Sequence, residues 1–212
     1  MLKTETILVL DYGAGNLRSV AHAIIRLGYQ PKITNTSKDL KSARAVILPG
    51  DGAAAEAMAN LRKLGMIEPI REYIAEDRPF FGVCLGLQIL LSSTEEDGRH
   101  ECLNIIPGQV KRLPQGLKTP HMGWNQVKQM NKHPVFDGID DGTNFYFLHS
   151  YYAVPEDQSV VLGETDYGVK FCSAIARGNL IATQFHPEKS GKPGLSMYDN
   201  FIKLAMQDRQ LR

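Results

Sequence analysis

A cysteine set between two glycines, and a histidine followed two residues later by a glutamate, are the features of this sequence with chemistry in them. The first lies in "RPFFGVCLGLQILL", residues 78–91, the most apolar stretch of the chain, interrupted by Gly82, Cys84 and Gly86. A run that only buries itself has no need of two glycines around a thiol. The second lies in "IATQFHPEKS", where His186 and Glu188 flank Pro187. A thiol that attacks an acyl carbon needs a proton acceptor, and the acceptor needs a third group to fix its tautomer. Pro187 favours an extended geometry, in which residues i and i+2 point the same way, so Glu188 can hold the His186 imidazole from behind.

"PFFGV" reads as a strand and "LGLQILLSS" as the start of a helix, so G-V-C-L-G has the layout of a nucleophile elbow. Such a turn strains the backbone of the nucleophile, and flanking glycines relieve the crowding. The helix N-terminus then offers unpaired N–H groups and partial positive charge, both of which favour thiolate over thiol. An isolated buried cysteine is usually a small structural hydrophobe; Cys102 and Cys172 lack the elbow and read that way. Among the other histidines, His22 on a helix, His100 in a polar loop and His133 before a proline read as surface residues. His121, in "PHMGWN", and His149, in "FLHSYY", border β-runs and stay in contention as the base; spacing alone puts His186 ahead. Donors for an oxyanion are the N–H of Leu85 and a backbone N–H of "PGDG", residues 49–52, where Gly50 and Gly52 let a peptide turn toward the site. The full G-x-G-x-x-G spacing of a nucleotide-phosphate loop is absent there and in "DYGAGN", residues 11–16.

The elements that must position these residues alternate in the first half. "TILVLDYG" is a strand. Asn16 can cap a helix whose apolar face is Leu17, Val20, Ala21, Ile24 and Ile25, with Gly28 as its stop. "PKIT" and "RAVILPG" are strands, helices follow over residues 53–64 and roughly 66–77, and "PFFGV" is the next strand. Strands joined by helices imply a mostly parallel sheet covered on both faces. In the second half, "IIPGQVKRL", "WNQVKQM", "NFYFLHSYYAV", "VVLGETD", "FCSAIARG" and "NLIATQFH" are β-like runs expected as antiparallel additions. Met197, Phe201, Leu204 and Ala205 mark a closing helix. The fold class is α/β, and residues 1–212 read as a single domain with no dividing linker.

The totals set bounds. A net charge of +1 over 212 residues gives no reason to expect nucleic acid or an anionic membrane as partner. No run is long enough to span a bilayer, and the start, with Glu5 ahead of four apolar residues, is too short and too acidic for a signal peptide. The expected location is the cytoplasm, where three widely spaced cysteines remain thiols. No Cys/His spacing points to a zinc site, so neither metal nor cofactor is expected.

With these pieces in place, the sequence resembles the class I (triad) glutamine amidotransferases over essentially its whole length. "GVCLGLQ" and "QFHPEKS" match the general motifs of that family, whose flavodoxin-like fold it implies. "DYGAGNLRS", "PHMGWN" and "YFLHSY" resemble the subfamily of glutaminase subunits of histidine biosynthesis. The resemblance implies a triad of Cys84, His186 and Glu188, with Gln88, Ser150 and Tyr151 holding glutamine beside Gly50, Asp51 and Gly52. It implies a heterodimer with a separate (β/α)8-barrel cyclase that receives ammonia and releases imidazole glycerol phosphate and an aminoimidazole carboxamide ribotide. Lys189, following the triad glutamate, and the aromatics Trp124 and Tyr146 at β-run ends read as partner-facing, as do Asn16 and Arg18 at the exit of the first strand; ordinary core packing is the competing account of Tyr146. Asp51 stands where the family usually has an apolar residue, and is expected to point to solvent or a cation with its N–H still usable. Thr183 replaces a frequent glycine. Rival readings are an amidotransferase subunit of another synthase, such as one aminating a sugar, a non-catalytic interaction subunit, and a stand-alone thiol hydrolase.

Overall fold

The computed structural model describes residues 6–13 and 15–207. Glu5 and Ala14, which belong to two of the stretches read above, lie outside the described residues. Four short apolar strands build the centre: β1 (Ile7–Leu10), β3 (Ala45–Leu48), β4 (Phe80–Val83) and β13 (Leu180–Thr183), every residue of them buried. With the edge strand β2 (Pro31–Thr34) they run in the order β2-β1-β3-β4-β13, each neighbouring pair parallel. Burial on both sides is why these strands are continuous apolar runs and not alternating ones. Successive side chains face opposite ways. Leu8, Leu10, Val46, Leu48 and Phe80 pack under helices α2 (Ala54–Lys63), α3 (Ile67–Ala75) and α4 (Leu85–Gln88). Ile7, Val9, Ala45, Ile47, Phe81 and Val83 pack under α1 (Leu17–Arg26) and α5 (Gly191–Gln207).

The sheet continues past β13 through β12 (Lys170–Arg177), β10 (Tyr151–Pro155) and β7 (Gly108–Arg112) to the two-residue strands β5 (Ser93–Thr94) and β6 (His100–Glu101). Strand β11 (Val161–Asp166) pairs with β12 and with β8 (His121–Gln129), and β8 pairs with β9 (Thr143–His149). Most pairings in this half are antiparallel, as expected, but "NLIATQFH" departs in two ways. Its strand β13 lies parallel to β4 and so belongs to the central sheet. It also stops at Thr183, which leaves Gln184, Phe185 and His186 beyond its end. "NFYFLHSYYAV" is two strands, broken at Ser150.

Local details also differ from expectation. Asn16 sits at the N-cap of α1 but makes no side-chain cap bond. Val20, Ala21, Ala23 and Ile24 are the buried residues of α1, whereas Ile25 is exposed. Ile25 lies about 100° round the helix from Ile24, and Ala23 extends the buried arc on the opposite side. Gly28 ends the helix as expected: its N–H reaches Ile25 O and that of Tyr29 reaches Ile24 O. The helix after Cys84 is a single turn, far shorter than "LGLQILLSS". That turn is pressed against the neighbouring strand. A Cβ on Gly86 would stand 2.1 Å from the Leu48 carbonyl oxygen, and one on Gly82 would stand 2.8 Å from Gly86 O.

Both glycines are therefore required by backbone contact. Gly86→Ala should lower the unfolding free energy by roughly 1–3 kcal/mol in urea titration, as overpacking of a rigid site does. A midpoint unchanged from the parent chain would show that the turn can move away from β3.

Candidate active site

The loops following β1, β3, β4 and β13 converge at the carboxyl ends of the parallel strands, where open α/β sheets place their ligand crevice. At the end of β4, Cys84 has φ 53° and ψ −105°, a left-handed backbone that side chains rarely adopt. Its N–H is held by Thr183 O at 2.7 Å, continuing the β4–β13 ladder into the turn. The strained turn read from G-V-C-L-G is thus present, while the helix dipole invoked with it shrinks to what one turn can supply.

His186 and Glu188 meet as an almost fully buried pair, Nδ1 to Oε1 at 2.8 Å, with side chains 2% and 1% exposed. The route differs from the extended one expected: Pro187–Lys189 form a 3₁₀ turn, and His186 caps it from an extended conformation. Supports unseen in the sequence hold the pair in place. Ser190 Oγ donates to His186 O at 2.6 Å and accepts from the Tyr146 N–H at 2.9 Å, while the His186 N–H reaches Tyr146 O at 2.9 Å. Buried Tyr198 donates to the other oxygen of Glu188 at 3.4 Å. Burial alone would lower the pKa of His186. The negative charge that Cys84 carries when ionised, together with Glu188, outweighs it and raises the imidazole to about 10. The buried Nε2 forms no hydrogen bond among the described residues, and the ionised Cys84 is the first of the groups that raise this ring.

The competing histidines have a different state. The Tyr151 carbonyl can only accept, so His149 Nδ1, 2.9 Å away, must carry a proton. A neutral His149 then accepts at Nε2 from His121 Nδ1, at 2.9 Å, and Asn125 reaches His121 Nε2 at 3.3 Å. His121 is also stacked between Phe147 and Tyr167. Burial depresses His121 to about 4 and His149 to about 3. Both rings are neutral with their nitrogens engaged, whereas His186 keeps one nitrogen unengaged. Cys102 and Cys172 are pushed up to about 12 by burial and stay protonated. His22 is exposed as expected; His100 and His133 are half-buried, and His133 accepts from the Val135 N–H.

Around Cys84 the remaining candidates fall into two groups. Gly50 is buried against Leu85 and Tyr12, and Asp51 and Gly52 are exposed. Asp51 is exposed, as expected, and its carboxylate also accepts from the Gly15 N–H at 2.8 Å, tying "PGDG" to the loop after β1. Tyr12 donates to Pro49 O at 2.8 Å from the same side. Gln88 is buried and donates to Tyr151 O and to Gln184 Oε1, and Ser150 and Tyr151 are half-buried beside it. Thr183 is buried, its hydroxyl satisfied by Phe185 O. Gln184 escaped the sequence reading, although a glutamine two residues before His186, at the end of an apolar run, was a visible signal. Farther out, Trp124 stacks edge-on with half-buried Tyr146, and Lys189 lies 6.0 Å over the Tyr146 ring. Trp124 is 58% exposed and Met122 61%. Arg18 is exposed and Asn16 half-buried at the start of α1. Among the described residues, no group of His, Cys, Asp or Glu could hold a metal, and no helix is long and apolar enough to cross a membrane.

An elbow cysteine facing a buried histidine–glutamate pair, at the strand ends of a parallel sheet, is a constellation for acyl transfer from an amide. In keeping with it, residues 8–204 match the family described as glutamine amidotransferase class-I, and the chain belongs to that family. Solved structures share the fold: a glutamine amidotransferase superposes with TM-score 0.75 at 21% identity over 94% of this chain and 98% of that one. PurLQS from Thermotoga maritima gives 0.76 at 17% over 95% and 99%. Sequence relatives are nearer. The chain is 55% identical, over 96% of its own length and 100% of the relative's, to the imidazole glycerol phosphate synthase subunit HisH of Dehalococcoides mccartyi strain CBDB1. It is 51% identical, over 94% and 95%, to the protein of the same name from Moorella thermoacetica.

The neutral histidine pair makes the fold sensitive to acid. Between pH 6.5 and about 4 or 3, the unfolded chain binds protons on His121 and His149 that the folded chain does not. Stability therefore rises with pH across this window and is lost as pH falls through it. His121→Phe keeps a ring in the stack and removes one titrating group, so the urea midpoint should fall less steeply with acid than in the parent. An unchanged slope would mean that His121 takes up no proton on unfolding.

Proposed function

We propose that this chain is the glutaminase subunit of an imidazole glycerol phosphate synthase, working in histidine biosynthesis in the cytoplasm. The observation that carries the proposal is the left-handed elbow of Cys84 together with the buried His186–Glu188 pair on which its ionised sulfur acts. The extensive identity to the HisH subunits named above supports the assignment of pathway.

In this reading Cys84 Sγ attacks the side-chain amide carbon of glutamine. Glu188 keeps the proton of His186 on Nδ1, so Nε2 faces the reaction and protonates the departing ammonia. The γ-glutamyl thioester is then hydrolysed by water that His186 activates. The tetrahedral oxygen is held by the Leu85 N–H and by a peptide N–H of residues 50–52, and glutamine by Gln88, Ser150 and Tyr151. Ammonia passes to a separate (β/α)8-barrel cyclase. The exposed Met122 and Trp124, with Tyr146 and Lys189 beside them, form an aromatic-rich patch next to the triad loop, the composition expected of an interface anchor. Asn16 and Arg18 extend it. Because Asp51 ties the oxyanion loop to Gly15, one residue from Asn16, docking at this edge has a direct route to the loop. A partner that prefers the turned-in peptide would switch hydrolysis on by its differential affinity.

Cys84→Ala should abolish glutamine-dependent synthesis by the complex and leave ammonia-dependent synthesis intact; a γ-glutamyl adduct trapped on Cys102 or Cys172 would overturn the assignment. His186→Ala should cost on the order of 10²–10⁴ in rate, far more than the same change at His121 or His149. Glutamine hydrolysis should rise from subunit alone, to subunit with cyclase, to the complex with the cyclase's nucleotide ligand, by on the order of 10²–10³ if one oxyanion donor is gained. Equal rates in all three would reject the switch and leave the triad standing. Lys189→Ala should weaken the coupling of the two activities at an unchanged melting temperature; a lowered melting temperature with full coupling would make Lys189 a stability residue.

A further inference from the structure

We infer that Gln184 is the neutral hydrogen-bond donor that helps to hold the Cys84 sulfur in its ionised form, beside the charge of His186, and that its polarity is set by the Tyr151 carbonyl through Gln88. The inference rests on the reading of Cys84 as the nucleophile. Gln184 is fully buried; its Nε2 lies 3.5 Å from Cys84 Sγ and its Oε1 lies 3.1 Å from Gln88 Nε2. An amide can be turned either way, so the sense of these contacts has to be derived. Gln88 fixes it. Its second contact, at 2.8 Å, is to the backbone carbonyl of Tyr151, which has no proton to give. The Gln88 group facing that carbonyl is therefore the NH₂, and the other proton of the same NH₂ points to Gln184. Gln184 must receive it on oxygen, which leaves its own NH₂ facing the sulfur. A carbonyl acceptor at one end of the relay thus dictates a donor at the other.

A donated hydrogen bond favours the anion over the neutral group. The other partner of the sulfur is Leu148 O at 3.7 Å, which can serve only the protonated thiol. When that proton leaves, Gln184 still donates to the sulfur, beside the charge of a protonated His186. The titratable groups acting on the sulfur are His186, from the segment after β13, and Tyr12, from the loop after β1. Tyr12 is buried and its titration is raised by burial first, then by Asp51 and Cys84, so it stays neutral. His186 makes no hydrogen bond through Nε2. Among the described residues, then, Gln184 is the donor in contact with the sulfur, and the single helical turn after Cys84 adds little to it. Gln184 is also fixed from behind, its N–H on Ser173 O at 2.9 Å, so the amide does not depend on substrate to be placed.

The test is the pH dependence of Cys84 alkylation by iodoacetamide, followed by mass spectrometry on the full chain in complex with the cyclase. Gln184→Leu should move the midpoint upward by about one to two pH units, the worth of one hydrogen bond to a charged group. Glutamine hydrolysis below that midpoint should fall about tenfold for each unit. Gln184→Glu keeps the shape but can no longer donate when ionised, and should move the midpoint at least as far, which covers the case in which the leucine variant does not fold. A folded variant of either kind that alkylates with the parent's midpoint overturns the role of Gln184. The control is Cys84→Ala. If that variant still hydrolyses glutamine, the nucleophile reading fails and this inference with it; if it is inactive, a parent-like Gln184→Leu profile tells against Gln184 alone.

Discussion

The arrangement depends on one backbone constraint, the left-handed conformation of Cys84 at the end of β4. A residue at φ 53° costs free energy, of order 1–3 kcal/mol, and persists only where its surroundings leave no alternative. Here they leave none. Upstream, β4 is locked between β3 and β13, and the Cys84 N–H is itself part of the β13 ladder. Downstream, Gly86 lies so close to the Leu48 carbonyl that the chain can only turn back at once over the sheet. The thiol is delivered to the crevice because the strand before it and the turn after it are both immovable. The same ladder brings Thr183, and hence Gln184 and His186, alongside it.

This explains which parts of the molecule could be read from the sequence. The central strands and their helices were legible because burial on two faces, or on one stripe, leaves apolar runs of characteristic period. The elbow was legible because its glycines answer to steric demands that hold in any context. What the sequence hid was pairing across distance. Nothing local distinguishes β13 from the antiparallel strands before it, and its parallel partner β4 lies about a hundred residues upstream in the register of Ile181 with Phe81. Yet that pairing is what puts His186 opposite Cys84. The histidine and glutamate were found through their spacing, but the spacing argument supposed an extended segment where the chain makes a 3₁₀ turn. The pairing survived because proline's fixed φ suits the first position of a 3₁₀ turn as well as an extended segment, and Glu188 within that turn meets the ring of His186 that caps it. Tyr198, on the far side of Glu188, had no sequence signal: it falls on the buried face of α5 and looks like any core aromatic.

The same distant pairings decide which histidine can act. His121 and His149 sit opposite each other in the β8–β9 register, in motifs as conspicuous as that of His186. Their mutual bond, closed at one end by the Tyr151 carbonyl, uses up the acceptor that a base would need. His186 has the opposite environment, a carboxylate at Nδ1 and no bond at Nε2. Two environments push three buried imidazoles in opposite directions, and that divergence is itself a way of locating acid–base chemistry. Composition and motif could not supply it, because it comes from what each ring faces.

Asp51 shows how such a site can be tied to a distant edge. On the sequence it looked like a charge in the wrong place, beside a developing anion. Its carboxylate accepts instead from the N–H of Gly15 in the loop that leads into α1. The contact spans the switch from β1 to β3, where the strand order reverses and an open sheet forms its crevice. As long as this bond is kept, a turn of the loop is coupled to Gly15 at the approach to α1. Whether a peptide N–H points into the crevice and how the β1 edge is held are therefore one mechanical question, posed at a site where a single exposed hydrogen bond connects them.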